Sequence, residues 1–148
     1  RSVTPAADRL AMVEAAVVGL DGIVASDLEL RRGGVSYTVD TLRELGKEDP
    51  EGERFLVLGA DAAGGVTSWE RADELPSLAT LVLVDRPGLE CPPPPAGWSF
   101  LRVEIPRVEV SSTDLRARVA DGRPLDLLVP PRVVTCIRER RLYGFASS

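Results

Sequence analysis

Two short, uninterrupted apolar runs constrain the fold more than any other feature: Phe55-Leu56-Val57-Leu58 and Leu81-Val82-Leu83-Val84. A strand with one wet face alternates apolar and polar residues. A run with no polar position fits a strand covered on both faces, as in a parallel sheet between helices. Each run stops at loop-forming residues, Gly59-Ala60-Asp61 and Asp85-Arg86-Pro87-Gly88. Around them, helical spacing recurs. Thr4-Pro5 reads as a helix start, with proline in the first helical position and Leu10, Val13 and Val17 following. Thr38 to Leu45 carries Val39, Leu42 and Leu45, and Ser68 is a cap for a short helix with Trp69, Leu75 and Leu78. Ser111-Ser112-Thr113 opens a helix with Leu115 and Val119, and Pro130-Pro131 opens the last, with Val133, Val134 and Ile137 inward. Residues 23–30 and 100–105 alternate as strands. Cys91 to Gly97, with four consecutive prolines, predicts an extended surface connection. Strands alternating with helices predict an α/β fold with a parallel sheet, as one domain over residues 1–148.

Composition narrows the chemistry. The 148 residues are 44% apolar and 28% charged, the balance of a soluble domain. The longest apolar-rich run, Leu78 to Val84, is far below the roughly 20 residues that span a membrane. Arg1-Ser2-Val3 opens no signal-peptide pattern. The 148 residues contain no histidine, which removes Ser-His-Asp and Cys-His catalysis and His-ligated zinc from what they can supply. Cys91 and Cys136 are too few for a zinc site and form no CxxC pair. They read as reduced thiols in a cytoplasm. The net charge of −5 argues against a nucleic-acid partner. Every basic residue except Lys47 is arginine, the side chain suited to bidentate contacts with phosphate and carboxylate.

In open α/β sheets ligands bind beyond the carboxyl ends of the strands. The strongest candidate is Val110-Ser111-Ser112-Thr113-Asp114-Leu115-Arg116. Helix-terminal N–H groups and the dipole there favour an anion. Arg116, three residues after Thr113, can reach back toward the same oxygens. Asp61, past an apolar strand and Gly59, can accept bonds from sugar hydroxyls. Trp69 can stack on a flat heteroaromatic ring. Arg86, placed by Pro87, can meet a phosphate, and backbone N–H groups around Ser36-Tyr37-Thr38 can meet a carboxylate. Each also has a plainer reading. Ser111–Thr113, Asp61 and Thr38 are ordinary helix caps, Trp69 a core indole and Arg86 a solvated turn residue. The residues by themselves stop at an anion or nucleotide site in an α/β domain.

The order of these motifs says more than any one of them. Ser36-Tyr37-Thr38-Val39-Asp40-Thr41-Leu42, Gly59-Ala60-Asp61, Trp69, Arg86-Pro87-Gly88, Val110 to Arg116 and Leu142-Tyr143, with Thr4-Pro5, Arg9-Leu10-Ala11-Met12 and Val129-Pro130, together resemble bacterial nicotinate-mononucleotide adenylyltransferase. The SST-x-x-R element is shared across nucleotidyltransferases; the SYT-x-DTL segment and the spaced tryptophan are more specific. The resemblance implies a Rossmann-like nucleotidyltransferase fold. It implies transfer of AMP from ATP to nicotinate mononucleotide, giving nicotinate adenine dinucleotide and pyrophosphate, with Mg²⁺ bound through the ATP phosphates. It assigns Tyr37, Thr38, Val39, Asp61 and Trp69 to the mononucleotide. Gly59, Arg86, Ser111, Ser112, Thr113 and Arg116 go to ATP. It also implies a cytoplasmic enzyme, free of nucleic acid and membrane and open to homo-oligomerisation.

That family also carries a glycine-rich GxFDPxHxGH segment whose histidines face the ATP phosphates, and no such segment lies in these 148 residues. The resemblance therefore implies that they are the C-terminal portion of a longer protein, without the N-terminal βα unit. No catalytic residue is expected among them, and alone they are not expected to catalyse. Two alternatives stay open: a sister enzyme such as phosphopantetheine adenylyltransferase, and a non-catalytic nucleotide-binding module. A purely structural interaction domain is a third.

Overall fold

The computed structural model describes residues 3–145; Arg1 and Ser2 of the opening segment lie outside the described residues. The chain divides into two compact units, residues 32–108 and residues 1–31 with 109–148.

The 32–108 unit is built on a three-stranded parallel sheet, β1 (Phe55–Gly59), β2 (Thr80–Asp85) and β3 (Phe100–Glu104), in the order β1-β2-β3. The register sets Leu56 beside Leu81 and Leu58 beside Leu83. Leu58, Leu81 and Leu83 share one sheet face and are buried there. Helix α1 runs Ala6–Val17, α2 Leu28–Arg32 and α3 Thr38–Glu48. Val39 and Leu42 of α3 pack on the leucine face, as do Ala60 and Ala63 of α4 (Ala60–Gly65) and Leu75 of α5 (Leu75–Leu78). Burying each large side chain there contributes about 1.5–3 kcal/mol.

The opposite face is not covered as the apolar runs predict. Val57 is 64% exposed, and Phe55, Leu101 and Val103 are exposed with it. Side chains alternate between faces, and the helices of this unit pack on the leucine face alone. Leu45 is likewise exposed rather than inward; six residues past Val39, it has rotated away from the Val39–Leu42 stripe.

The second unit packs α1 with α6 (Ser112–Ala120) and α7 (Pro131–Glu139). Val119, Val133, Ile137 and Leu142 form its core with Leu125, and Met12, Ala15 and Ala16 of α1 lie against them. Arg140 pairs with Asp8 at 2.8 Å, tying α7 to α1. Among the described residues no helix is long and apolar enough to cross a membrane.

Four local expectations are corrected. Residues 23–27 are loop, and Leu28–Arg32 is helix rather than strand. Leu28 N–H donates to Ser26 Oγ, and the Asp27–Arg31 pair at 2.9 Å closes a helical turn. Four-residue spacing of opposite charges outweighs two-residue alternation where no neighbouring strand offers hydrogen bonds. Pro5 is the N-cap of α1 rather than its first helical residue, and no side chain among the described residues caps that helix. Ser68 ends a 3-10 turn, Val66–Ser68, and donates back to Gly65 O at 2.7 Å, so it caps nothing that follows. In the proline connection Cys91 is only 2% exposed, because its Sγ packs against the carbonyl ends of the β1 and β2 strands at Leu58 and Val84. Both cysteines are free thiols.

Candidate active site

In the 32–108 unit, α3 begins at Thr38 after an extended Tyr37, and no side chain caps it. The N–H groups of Thr38 and Val39 have no carbonyl one helical turn back and no hydrogen bond among the described residues, so they are available to a ligand oxygen. Val39 is 0% exposed and its side chain belongs to the core. Its only means of contact is its backbone. Tyr37 is exposed and Thr38 half-buried.

The carboxyl ends of β1 and β2 lie side by side, with Gly59 registered against Val84. Gly59 has φ −82° and precedes α4, and a Cβ there would meet nothing within 4 Å. Neither its backbone nor its packing in this unit requires glycine, so open space lies where a ligand can approach. Asp61 follows in the first turn of α4, exposed and without an ion pair among the described residues. Beyond β2, Arg86 exchanges two backbone hydrogen bonds with Leu89, and Gly88 supplies the positive φ of that turn. The Arg86 guanidinium also has no ion pair among the described residues.

The neighbouring Asp85 is fully engaged. It accepts from Cys91 N at 2.7 Å and from Arg102 Nη1 at 2.7 Å, and Arg102 Nη2 reaches Cys91 O. The Cys91 amide, with Arg102 next, holds the Asp85 carboxyl below its ordinary range. Burial pushes the Cys91 thiol up, so it is a poor nucleophile. This cluster fixes the Asp85–Cys91 turn and is structural.

Trp69 is half-buried against the core cluster that includes Val39. Two residues on, Arg71 adopts a left-handed backbone, φ 51°. Such a conformation costs a side-chain-bearing residue roughly 1–2 kcal/mol. It is held by a 2.7 Å hydrogen bond from Arg71 Nη2 to Asp40 Oδ1 in the first turn of α3. That bond keeps the Asp40 carboxyl below the usual range and raises Arg71.

In the second unit, Ser111 is the N-cap of α6 and its Oγ accepts from Asp114 N at 3.1 Å. The ordinary capping role is therefore real for Ser111. Ser112 and Thr113 are exposed in the first turn, and Arg116 Nη2 lies 3.4 Å from Thr113 Oγ1. Asp114 turns aside to Arg118 at 2.8 Å, which lowers its pKa and takes its charge away from the opening. Thr113 and Arg116 line a cleft of about 530 Å³ with Thr4, Arg9 and Tyr143. Arg9 Nη1 donates to Thr4 O at 2.7 Å. No carboxylate pairs with Arg9 or Arg116 among the described residues, so two positive charges and a helix amino end face one opening. Such a cleft suits a polyphosphate.

Residues 1–118 match the cytidylyltransferase-like family. The chain is 41% identical to the probable nicotinate-nucleotide adenylyltransferase of Corynebacterium kroppenstedtii, over 97% of its own length and 69% of the relative's. With the enzyme of that name from Streptomyces coelicolor the identity is 42%, over 97% of this chain and 77% of the other. The chain belongs to the nicotinate-nucleotide adenylyltransferases of the cytidylyltransferase-like family. The Plasmodium falciparum nicotinic acid mononucleotide adenylyltransferase complexed with NaAD shares the fold. Its TM-score is 0.73 at 18% identity, over 99% of this chain and 78% of that one. The Rossmann-like nucleotidyltransferase fold expected from the sequence is thereby established. Within this adenylyltransferase, the expected carboxylate-binding and ring-binding residues lie in the 32–108 unit, together with Gly59, Asp61 and Arg86. Ser111, Ser112, Thr113 and Arg116 lie in the other. Arg9, five residues after Thr4, and the Asp40–Arg71 pair, whose members stand 31 residues apart, are not among the site residues that the sequence pattern singles out.

Proposed function

We propose that this protein joins nicotinate mononucleotide to the AMP portion of ATP, releasing pyrophosphate, in the synthesis of NAD in the cytoplasm. The observation that carries the reading is the uncapped amide end of α3 in the same unit as a half-buried tryptophan. Free N–H groups recognise a ring carboxylate, and an indole stacks on the ring that bears it.

The chemistry is a displacement at phosphorus. A phosphate oxygen of the mononucleotide attacks the α-phosphorus of ATP. The bond from that phosphorus to the β-bridging oxygen breaks, and its electron pair leaves with pyrophosphate. The nucleophile is already an anion, so the step is one of positioning and charge stabilisation. Thr38 and Val39 N–H groups hold the nicotinate carboxylate, Tyr37 flanks them, Trp69 stacks on the pyridine, and Asp61 accepts from a ribose hydroxyl. Gly59 admits the nucleotide closely, and Arg86 meets its phosphate. Ser111, Ser112, Thr113 and Arg116, with Arg9, hold the ATP phosphates. Among the described residues no three His, Cys, Asp or Glu side chains converge. Mg²⁺ would be carried by the ATP phosphates, where it would neutralise charge on the leaving pyrophosphate.

The test is pyrophosphate release from ATP by the full-length gene product. Release that requires nicotinate mononucleotide is the expected result. Release that requires phosphopantetheine instead identifies the sister enzyme. ATP binding with no turnover on either acceptor returns a nucleotide-binding module.

A further inference from the structure

We propose that the Asp40–Arg71 ion pair sets the preference for an acidic over an amidated pyridine ring, by masking a carboxylate that would otherwise oppose the substrate's own. The proposal rests on the assignment of residues 37–39 and 69 to the mononucleotide.

Asp40 is the third residue of α3, in the same first turn as the N–H groups of Thr38 and Val39. An acidic side chain there is attracted to the helix amino end, as an incoming carboxylate is. Unmasked, it would repel the nicotinate carboxylate and leave a neutral amide unaffected. Arg71 masks it with the 2.7 Å bond from Nη2 to Oδ1. The left-handed backbone at Arg71 delivers that guanidinium two residues after Trp69. One bond therefore neutralises Asp40 and anchors the segment that carries the indole.

A second pair joins the same two segments. Arg43 of α3 donates to Glu74, three residues beyond Asp40 and Arg71 respectively. Its charges are reversed, and it stands further from the amino end of α3. It ties the segments without bonding Asp40, and so serves as an internal control for that bond. The other cations acting on Asp40 are Arg32, already bonded to Glu44 and Thr41, and Arg43, already bonded to Glu74; neither bonds Asp40. Arg71 is thus the specific partner.

The experiment compares kcat/KM for nicotinate and nicotinamide mononucleotides in the full-length protein. In Arg71→Gln the nicotinate-to-nicotinamide ratio should fall by about fivefold, the scale of one like-charge contact near water. The double variant Asp40→Asn/Arg71→Gln, with both charges gone, should return the ratio to within about twofold of wild type. Arg43→Ala should lower the melting temperature and leave the ratio unchanged. Should Arg71→Gln fail to fold, Asp40→Asn alone decides, because an Arg71 freed of its acid should raise the ratio. A flat ratio across these variants, or no recovery in the double variant, reduces the pair to a structural tie. A wild-type enzyme inert toward nicotinate mononucleotide overturns the parent assignment and this proposal with it; an active wild type with a flat ratio overturns this proposal alone.

Discussion

At the scale of single residues, what a side chain touches decides whether it is available for chemistry. Asp85 ends one apolar strand and Asp61 lies just past another, yet Asp85 is held by the Cys91 amide and Arg102, whereas Asp61 stands exposed. The folded-state pKa of Asp85 lies below its ordinary value. A depressed carboxylate pKa stabilises the fold above the unfolded-state pKa of about 3.9, and this stabilisation is lost as pH falls through that value to the folded one. Asp85→Asn should therefore lower the melting temperature at pH 7. The gap from wild type should narrow as the pH is taken from about 5 toward 3. A gap independent of pH would mean that Asp85 acts by shape alone. The sequence places Asp61 correctly beyond a strand and Thr38 correctly at a helix start, because those positions depend on local pattern. It could not reveal that Asp85 is occupied or Cys91 buried, since the contacts responsible run through Arg102 and the ends of two strands.

At the scale of elements, legibility follows the strength of local periodicity. Helices α3, α6 and α7 and all three described strands stand where spacing predicts them. Residues 23–30 misled because a strand exists only by pairing, and the Asp27–Arg31 turn competes with it locally. The opening of α6 carries an observed role, capping, and a proposed one, anion binding, which pattern alone leaves merged. The side chains divide between them. Ser111 Oγ accepts an amide of its own helix, while Arg116 is exposed and lies 3.4 Å from Thr113 Oγ1. Loss of an N-cap hydroxyl costs about 1 kcal/mol; loss of an exposed arginine without an ion pair costs under about 0.5 kcal/mol. Urea denaturation of Ser111→Ala should thus show the larger loss of stability. Steady-state kinetics of Arg116→Ala should show the larger rise in KM for ATP. Unaltered ATP kinetics in Arg116→Ala would return the whole segment to capping.

At the scale of the molecule, the proposed function asks an acidic chain to bind anions, and the distribution of its arginines bears on how. Net charge is −5, so the overall field repels ATP. Eight of the 17 arginines deepen no local positive field: Arg31, Arg32, Arg43, Arg71, Arg102, Arg118, Arg123 and Arg140 each pair with a carboxylate. Arg9 and Arg116 differ, because they share one cleft with a helix amino end and pair with no carboxylate among the described residues. Composition shows the excess of arginine over lysine but not this sorting, which depends on tertiary pairing. The sorting makes a map. An arginine-directed dicarbonyl reagent, read by peptide mass spectrometry on the full-length protein, should label both Arg9 and Arg116. Saturating ATP should protect these two by several-fold while labelling at Arg132, on the exposed start of α7, stays unchanged. Protection centred on Arg123 and Arg138 instead would move the polyphosphate to the smaller cleft those two residues line with Phe145, and Arg9 would revert to a surface residue bonded to Thr4.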